Sequence, residues 1–124
     1  MKKCLVLNNK NVAGDRTSDF LSTYEFEIEF MSDGEQALSL CEQIMPDVIL
    51  VDSKMSKMDG QQFLERLAVL RRARHSQPPV ILFCLDKTDV DAMGRAVWSG
   101  ATECLVKPFD ADILDFKLQQ AGAI

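Results

Sequence analysis

The sequence predicts an α/β domain in which one parallel β-sheet is covered by helices on both faces. Two observations support this fold class. Strand-like and helix-like segments alternate five times along the 124 residues, and parallel strands need the crossover connections that helices supply. In addition, the predicted strand at 47–51 is apolar on the successive residues 48–51, as expected of a central parallel strand that is buried on both faces. We therefore expect a single domain over residues 1–124.

The first half of the chain contains two of these strand and helix pairs. Residues 4–7 form a short apolar run, and a weak helical pattern follows at about 15–22. The segment YEFEIEF, at 24–30, places Tyr, Phe, Ile and Phe on one face and three glutamates on the other, which predicts a half-exposed strand. A helix then begins at 32–34 and ends at Pro46, because proline cannot continue a helix.

The second half continues the alternation. It contains, in order, the apolar strand at 47–51, an amphipathic helix from Gly60 that ends in the basic cluster RRARH, an apolar strand at 80–85 and a helix at about 88–99. A short strand at 104–106 and a helix that includes 113–118 complete it. Gly100 is positioned as the residue that follows the fourth helix, where a left-handed backbone conformation favours glycine.

Composition and charge argue against several classes of protein. A content of 47% hydrophobic and 27% charged residues is typical of a soluble globular domain. The net charge of −5 argues against a general nucleic-acid binder, since phosphate binding requires a basic surface. No apolar stretch approaches the roughly 18 residues of a membrane span, and MKKCLVLNN is too short for a signal peptide. We expect a cytoplasmic protein whose four cysteines, which form no CxxC pair, are small buried thiols.

Polar side chains follow three of the predicted strands at the point where each strand ends. Asn8 and Asn9 follow the first strand, Asp52 ends the third, and Lys107 follows the fifth. Ligands of parallel sheets bind outside the carboxyl ends of the strands, where the strand order reverses. These four side chains are therefore expected to converge on one edge of the sheet and to form the functional site.

The chain resembles response-regulator receiver domains over its full length. The resemblance rests on NN after the first strand, VILVDSKMSKMDG at the third strand and GATECLVKPF at the fifth, and KPFDADIL is similar to single-domain, chemotaxis-type (CheY-like) receivers. It implies a flavodoxin-like, doubly wound (βα)5 sandwich with strand order 2-1-3-4-5. It further implies a phosphorelay in which Asp52 accepts a phosphoryl group from a histidine kinase or phosphotransfer protein. Lys107 would support the phosphate, and the Lys107–Pro108 bond would be cis.

Several positions depart from the pattern of that family. Asn8 and Asn9 replace the acidic pair that holds magnesium, and neutral amides bring no charge to a hard cation. The hydroxyl residue at the end of the fourth strand is Leu85, or Cys84 if the register is one residue off, and the switch aromatic is Cys104. We therefore expect Mg²⁺ to bind weakly and phosphorylation to be atypical.

Lys54 lies two residues beyond Asp52, at a position that borders the metal site in the family. Its side chain has two alternatives: it points into solvent, or it places an ammonium where the divalent ion would lie. With Asp52 and Lys107 summing to zero charge, an inward Lys54 would give the site one net positive charge.

The leading functional prediction is a stand-alone receiver that acts through protein–protein contacts rather than as an enzyme. By resemblance, its target binds the face of helix four, strand five and helix five, where Val97 and Trp98 are candidates. Burial of Trp98 against the sheet is the alternative. Haloacid-dehalogenase-like phosphotransferases need a second acidic residue two positions after the aspartate, and Lys54 argues against that class.

Two alternatives stay open beside this prediction. One is an adaptor that signals without phosphorylation. The other is a receiver that binds a nucleotide messenger through Arg71, Arg72 and Arg74, since arginines bind phosphates bidentately. A basic cluster at the C-terminus of a helix is more often structural, and His75 is interpreted as a surface residue.

Overall fold

The computed structural model describes residues 1–9, 16–73 and 77–124. Ten elements follow one another in these residues: β1 (Lys2–Leu7), α1 (Thr17–Leu21), β2 (Phe26–Met31), α2 (Gly34–Gln43), β3 (Val48–Asp52), α3 (Gly60–Arg72), β4 (Val80–Leu85), α4 (Val90–Trp98), β5 (Glu103–Val106) and α5 (Ala111–Gln120). The five strands form one parallel sheet in the order β2-β1-β3-β4-β5. The predicted fold class and strand order are confirmed.

Aspartates cap four of the five helices. Asp33, Asp59, Asp89 and Asp110 precede α2, α3, α4 and α5, and each side chain accepts a hydrogen bond from a backbone N–H of the first turn. Such caps satisfy donors that have no partner inside the helix, and a negative charge there complements the helix dipole. Four of the acidic residues of the chain therefore have a structural role as helix caps.

The core consists of two apolar layers, one on each face of the sheet. Successive residues of β3 alternate between the layers, so that all five of its residues are buried. Ile49 and Val51 pack with residues of α2, α3 and α4, whereas Val48 and Leu50 pack with residues of α1 and α5. The buried run predicted for the third strand is confirmed, and it holds Asp52 at the centre of the sheet edge.

The second strand differs from the sequence prediction. β2 begins at Phe26 rather than at residue 24, and its two glutamates, Glu27 and Glu29, are exposed as expected. Phe26 and Ile28 are half-buried, but Phe30 is 53% exposed. β2 is an edge strand, and the α1 layer over it supplies only the five-residue helix Thr17–Leu21 in the described residues. The alternation of apolar and charged residues predicted the strand correctly. However, helices cover less of its apolar face than that pattern indicated.

The remaining sequence expectations have mixed outcomes. Gly100 has a φ of +113°, as predicted for the residue after α4.

Three of the four cysteines are buried, as predicted. Cys4, Cys41 and Cys84 are buried thiols, and burial raises the pKa of Cys4 to about 12. Cys104 is only half-buried, because it lies on the edge strand β5. Among the described residues, no helix is long and apolar enough to cross a bilayer.

Candidate functional site at the carboxyl edge of the sheet

Asp52 presents a single carboxylate at the end of the central strand. The residue is 6% exposed. Its Oδ2 lies 2.7 Å from the Lys107 Nζ, and its Oδ1 accepts a hydrogen bond of 3.2 Å from the backbone N–H of Lys54. Burial of a carboxylate requires a partner for its charge and hydrogen bonds for its oxygens. The ammonium of Lys107 and the loop after β3 supply them.

Lys107 reaches this carboxylate from the end of β5, two strands away. Its backbone N–H donates to the Leu85 carbonyl oxygen at 2.7 Å, which continues the pairing of β5 with β4 up to the site. The Lys107–Pro108 bond is cis, as the resemblance implied. Burial alone would lower the pKa of Lys107, but the hydrogen bond and the negative charge of Asp52 outweigh it, and the pKa is raised.

The side-chain amide of Asn9 bridges the loop that follows β3. Its Nδ2 donates to the Lys54 carbonyl oxygen at 3.0 Å, and its Oδ1 accepts from the Ser56 N–H at 3.3 Å. A carbonyl can only accept and a backbone N–H can only donate, so these two partners fix the orientation of the amide. Asn9 therefore makes a hydrogen-bonded link at a position where the resemblance implies an acidic residue.

Asn8 lies at the same edge, where its backbone N–H donates to the Met31 carbonyl oxygen at 3.1 Å. Together with Asp52, Lys107 and Cys84 it lines a small pocket of about 20 Å³, a volume that matches a single water molecule. The four residues predicted to converge from three strands therefore lie together, with Asn8 and Asp52 around this pocket and Asn9 above the loop.

Of the two orientations considered for Lys54, the structure shows the solvent-exposed one, with an added ion pair at the surface. Its side chain is 76% exposed, but its Nζ lies 3.0 Å from Asp86 Oδ2. Asp86 directly follows β4, and its Oδ1 also lies 3.7 Å from the Lys107 Nζ. The hydrogen bond from Lys54 is the largest effect on Asp86, and together with the positive charges of both lysines it lowers the pKa of this carboxyl.

Asp86 adds a negative charge to the site. It was not among the site residues predicted from the sequence. Two carboxylates, Asp52 and Asp86, alternate with two ammonium groups, Lys107 and Lys54. The formal charge is zero rather than the single positive charge expected for an inward lysine. The signal was available, because Asp86 follows a strand at the same carboxyl edge as Asn8, Asp52 and Lys107.

Cys84 and Leu85 lie on opposite faces of the sheet. Cys84 is the register partner of Asp52 on β4 and lines the small pocket, whereas Leu85 packs in the layer under α2, α3 and α4. Cys104 pairs with Phe83 on β5 and packs against that same layer. Of the two registers considered, the side chain that shares the small pocket with Asp52 is therefore the thiol of Cys84.

The residues at this edge do not fit a divalent cation in their present arrangement. Mg²⁺ prefers octahedral oxygen ligands that include carboxylates. Both Asp52 oxygens are already engaged, and the Lys54 carbonyl accepts from Asn9. Within the ranges that the structure covers, no three His, Cys, Asp or Glu side chains form a group that could hold a metal. The Lys107 ammonium occupies one oxygen of Asp52, and Asn8 and Asn9 bring neutral amides rather than further carboxylates.

A second cavity lies at the opposite end of the molecule. It has a volume of about 420 Å³ and is lined by Arg71, Arg72, Pro78 and Pro79 together with Trp98. Trp98 is 92% exposed, so its predicted alternative as a core residue is wrong. Arg74 and His75, the other members of the basic cluster, lie outside the described residues.

Comparisons with known proteins agree with this geometry. The model of the response regulator receiver domain family matches residues 4–119. The regulatory protein AtoC of Escherichia coli is 30% identical over 121 residues, which cover 98% of this chain and 25% of that protein. A protein-glutamate methylesterase/protein-glutamine glutaminase of Oceanobacillus iheyensis is 33% identical over 68% of this chain and 23% of its own length. The chain thus spans about a quarter of these curated relatives.

Solved structures match the whole domain. The chemotaxis protein CheY4 of Vibrio cholerae superimposes with a TM-score of 0.83 at 27% identity, covering 98% of each chain. The receiver domain of the sensor histidine kinase PA1611 from Pseudomonas aeruginosa superimposes with a TM-score of 0.77 at 18% identity, again over 98% of each chain. That structure has magnesium coordinated in its active-site cleft. At this identity the likeness shows the fold alone.

Proposed function

Because the chain belongs to the response-regulator receiver family of two-component signalling, we propose that it is a signalling module in which Asp52 accepts a phosphoryl group under atypical, metal-poor conditions. The observation that carries the proposal is the Asp52–Lys107 pair of 2.7 Å at the carboxyl edge of the sheet. The Asp52 carboxylate provides the nucleophile, and Lys107 provides a positive charge within reach of the incoming group. The donor is a phosphohistidine of a histidine kinase or phosphotransfer protein.

The transfer requires little covalent chemistry from the chain beyond the nucleophile. An Asp52 oxygen forms a bond to phosphorus while the phosphorus–nitrogen bond of the phosphohistidine breaks, and the electron pair of that bond leaves with the imidazole. The product is an acyl phosphate on Asp52. Positioning and charge stabilisation dominate such reactions, so the Lys107 ammonium, which is already beside the carboxylate, moves to a phosphoryl oxygen as the new charge develops.

The output of the domain is proposed to be protein binding through the outer side of α4. Val90, Gly94, Val97 and Trp98 fall within an arc of about 100° on a helix of 3.6 residues per turn, and all four are exposed. On α5, Ile113 and Phe116 are exposed as well. Exposed apolar side chains in this number on a small domain support a docking surface for a partner.

The test of phosphorylation is incubation with phosphoramidate, with and without MgCl₂, followed by intact-mass measurement. We expect one added phosphoryl group in the natural chain, none in Asp52→Asn, and little dependence on magnesium. The Asn8→Asp/Asn9→Asp variant restores two carboxylates, so its phosphorylation should become magnesium-dependent. Failure of the natural chain to gain mass under either condition contradicts the proposal. Strong magnesium dependence of the natural chain contradicts its metal-poor part.

The phosphorylation-independent adaptor is a second candidate, and the Asp52–Lys107 pair also supports it. The pair forms without a phosphoryl group and can hold the domain in one conformation. The candidate predicts that the chain captures its partner equally well before and after treatment with a phosphodonor. Asp52→Asn should then reduce capture, because it removes the negative charge that pairs with Lys107.

The nucleotide-binding alternative is supported by the second cavity. Its volume of about 420 Å³ lies in the range of small-molecule pockets, and Arg71 and Arg72 at its wall offer guanidinium groups to phosphates. Equilibrium dialysis with labelled purine nucleotides tests this alternative. Binding that is lost in Arg71→Ala/Arg72→Ala supports it, and no binding at millimolar nucleotide concentration contradicts it.

A further inference from the structure

Asp86 occupies a central place in the charge pattern around the phosphoacceptor. Its two oxygens contact different lysines: Oδ2 lies 3.0 Å from the Lys54 Nζ and Oδ1 lies 3.7 Å from the Lys107 Nζ. These lysines come from the loop after β3 and from the end of β5, on either side of β4. Asp86 thus links the two flanking loops through one side chain.

The same contacts place Asp86 in competition with Asp52 for Lys107. The Lys107 Nζ lies 2.7 Å from Asp52 and 3.7 Å from Asp86, so a small movement of the ammonium exchanges one carboxylate for the other. The Lys107 side chain is largely buried, whereas the Asp86 side chain is 48% exposed. The better-shielded contact with Asp52 is the stronger one, because water screens the contact with Asp86.

Lys54 is held away from the acceptor by the same residue. Its backbone N–H donates to Asp52 at 3.2 Å, but its ammonium is engaged by Asp86. A lysine stem is long and flexible enough to turn between two neighbouring carboxylates. The position of this positive charge therefore depends on Asp86 rather than on Asp52.

We propose that Asp86 is a positioning residue that binds Lys54 and competes with Asp52 for Lys107. These two contacts of Asp86 set how readily Asp52 accepts a phosphoryl group. The consequence for rate rests on the proposed function. A phosphoryl group brings between one and a half and two negative charges at neutral pH. Asp86 opposes it in two ways, since its own charge repels the phosphoryl group and its contacts restrain two ammonium groups that would stabilise it.

Phosphoramidate provides a defined reaction for the test. An Asp52 oxygen bonds to phosphorus, the phosphorus–nitrogen bond breaks, and ammonia leaves with the electron pair. The rate of mass gain is compared in the full chain and in Asp86→Asn, Lys54→Met and the double variant. Asp86→Asn should accelerate phosphorylation about fivefold, and Lys54→Met should slow it by a similar factor, which is the size expected of one partly exposed charge. The double variant should return close to the natural rate.

Two controls separate positioning from general effects. Glu27→Gln removes one negative charge from exposed β2, far from the site, and should leave the rate unchanged. Asp86→Glu retains the carboxylate and should restore a rate near that of the natural chain. An Asp86→Asn rate that equals or falls below the natural rate overturns the proposal, as does a double variant that is no closer to the natural rate than Asp86→Asn.

Lysine ammonium NMR signals of the unphosphorylated chain test the positioning itself. Asp86→Asn should shift the signals of both Lys54 and Lys107, whereas Glu27→Gln should shift neither. Unchanged Lys54 and Lys107 signals in Asp86→Asn overturn the proposal. If none of the variants gains a phosphoryl group, the proposed function fails, and these signals still decide whether Asp86 positions the two lysines.

Discussion

Asp52 and Lys107 form a pair whose two members depend on each other. A buried carboxylate loses hydration that only a close partner replaces, and removal of that partner leaves an uncompensated charge. The contact of 2.7 Å between Lys107 and Asp52, together with the hydrogen bond from the Lys54 N–H, fills this role. The pair therefore stabilises the fold, and we expect a substitution at either position to lower stability as well as to alter the proposed phosphoryl transfer.

The first prediction concerns the protonation of Lys107. In Asp52→Asn the negative charge that raises the pKa of Lys107 is lost while the burial that lowers it remains, so the pKa should fall. The raised pKa contributes stability that is fully present below the unfolded lysine value of about 10.4 and is lost as pH rises through the folded value. The measurement is an NMR titration of the Lys107 ammonium.

Urea unfolding at several pH values provides the matching stability measurement. The free energy of unfolding of the natural chain should decline above about pH 10.4, and Asp52→Asn should decline less over that range. Lys117→Met serves as the control. The Lys117 Nζ lies 3.1 Å from Glu103 Oε1, and this ion pair is outside the site. An unchanged Lys107 titration in Asp52→Asn would contradict the prediction.

Helix α4 carries apolar residues around most of its circumference. Ala96 is buried against the sheet, and Ala92 and Met93 pack against the same layer. Val90, Val97 and Trp98 are exposed on the other side. The inner side is formed by small or flexible side chains, which lets the helix lie close to the sheet, while the bulkiest side chains remain outside. Packing against the sheet does not account for this outer group.

The second prediction follows from the exposure of Trp98. Trp98→Ala should change the free energy of unfolding by no more than about 0.5 kcal/mol, as expected of a surface position. Phe63→Ala, which truncates a fully buried aromatic residue on α3, should cost about 3–5 kcal/mol. Chemical denaturation measures both. If α4 forms the output surface, Trp98→Ala should also weaken partner capture; a loss of about 3 kcal/mol would show a core role instead.

Several contacts join residues near the start of the chain to α5 and the residues that flank it. The Tyr24 hydroxyl donates to Asp115 Oδ1 on α5 at 2.5 Å, and the Lys2 Nζ donates to the Ala123 carbonyl at 2.9 Å. The ring of Phe20 on α1 packs at a tilt against that of Phe109, with ring centroids 6.4 Å apart. The layer on this side of the sheet consists of α1 and α5 alone in the described residues, and these contacts tie segments in or next to α1 and β1 to segments in or next to α5.

The third prediction uses Tyr24, the only tyrosine of the chain. The pKa of Tyr24 is raised to about 12, mainly by burial and secondly by the hydrogen bond to Asp115. Absorbance titration of tyrosinate should therefore show a midpoint near 12, and Asp115→Asn should lower it. The associated stability is present below the unfolded value of about 10 and is lost as pH rises through the folded value.

An independent variant checks this interpretation of Tyr24. Tyr24→Phe keeps the ring, which lies 5.7 Å from the Phe26 ring, but removes the hydroxyl. Its stability should therefore show less dependence on pH between about 10 and 12 than that of the natural chain. A tyrosinate midpoint near 10 in the natural chain would contradict both the burial of the Tyr24 hydroxyl and its hydrogen bond to Asp115.

The sequence by itself determined the fold class, the strand order through its resemblance, and the place of Asp52 and Lys107. These features depend on the period of the apolar residues and on which residues end each strand, both of which are local properties of the chain. In a parallel sheet all carboxyl ends meet at one edge, so residues such as Asn8 and Asp52 could be brought together without coordinates.

The tertiary structure alone decided the partners of Lys54, the bridge made by Asn9 and the exposure of Trp98. Lys54 and Asp86 are distant in sequence, and whether their side chains meet depends on ångström-scale placement of two loops. The apolar residues of α4 exceed what one buried face needs, so periodicity could not assign Trp98 to a side. Packing density at the sheet made that choice, since small residues such as Ala96 fit the close approach and Trp98 stays outside.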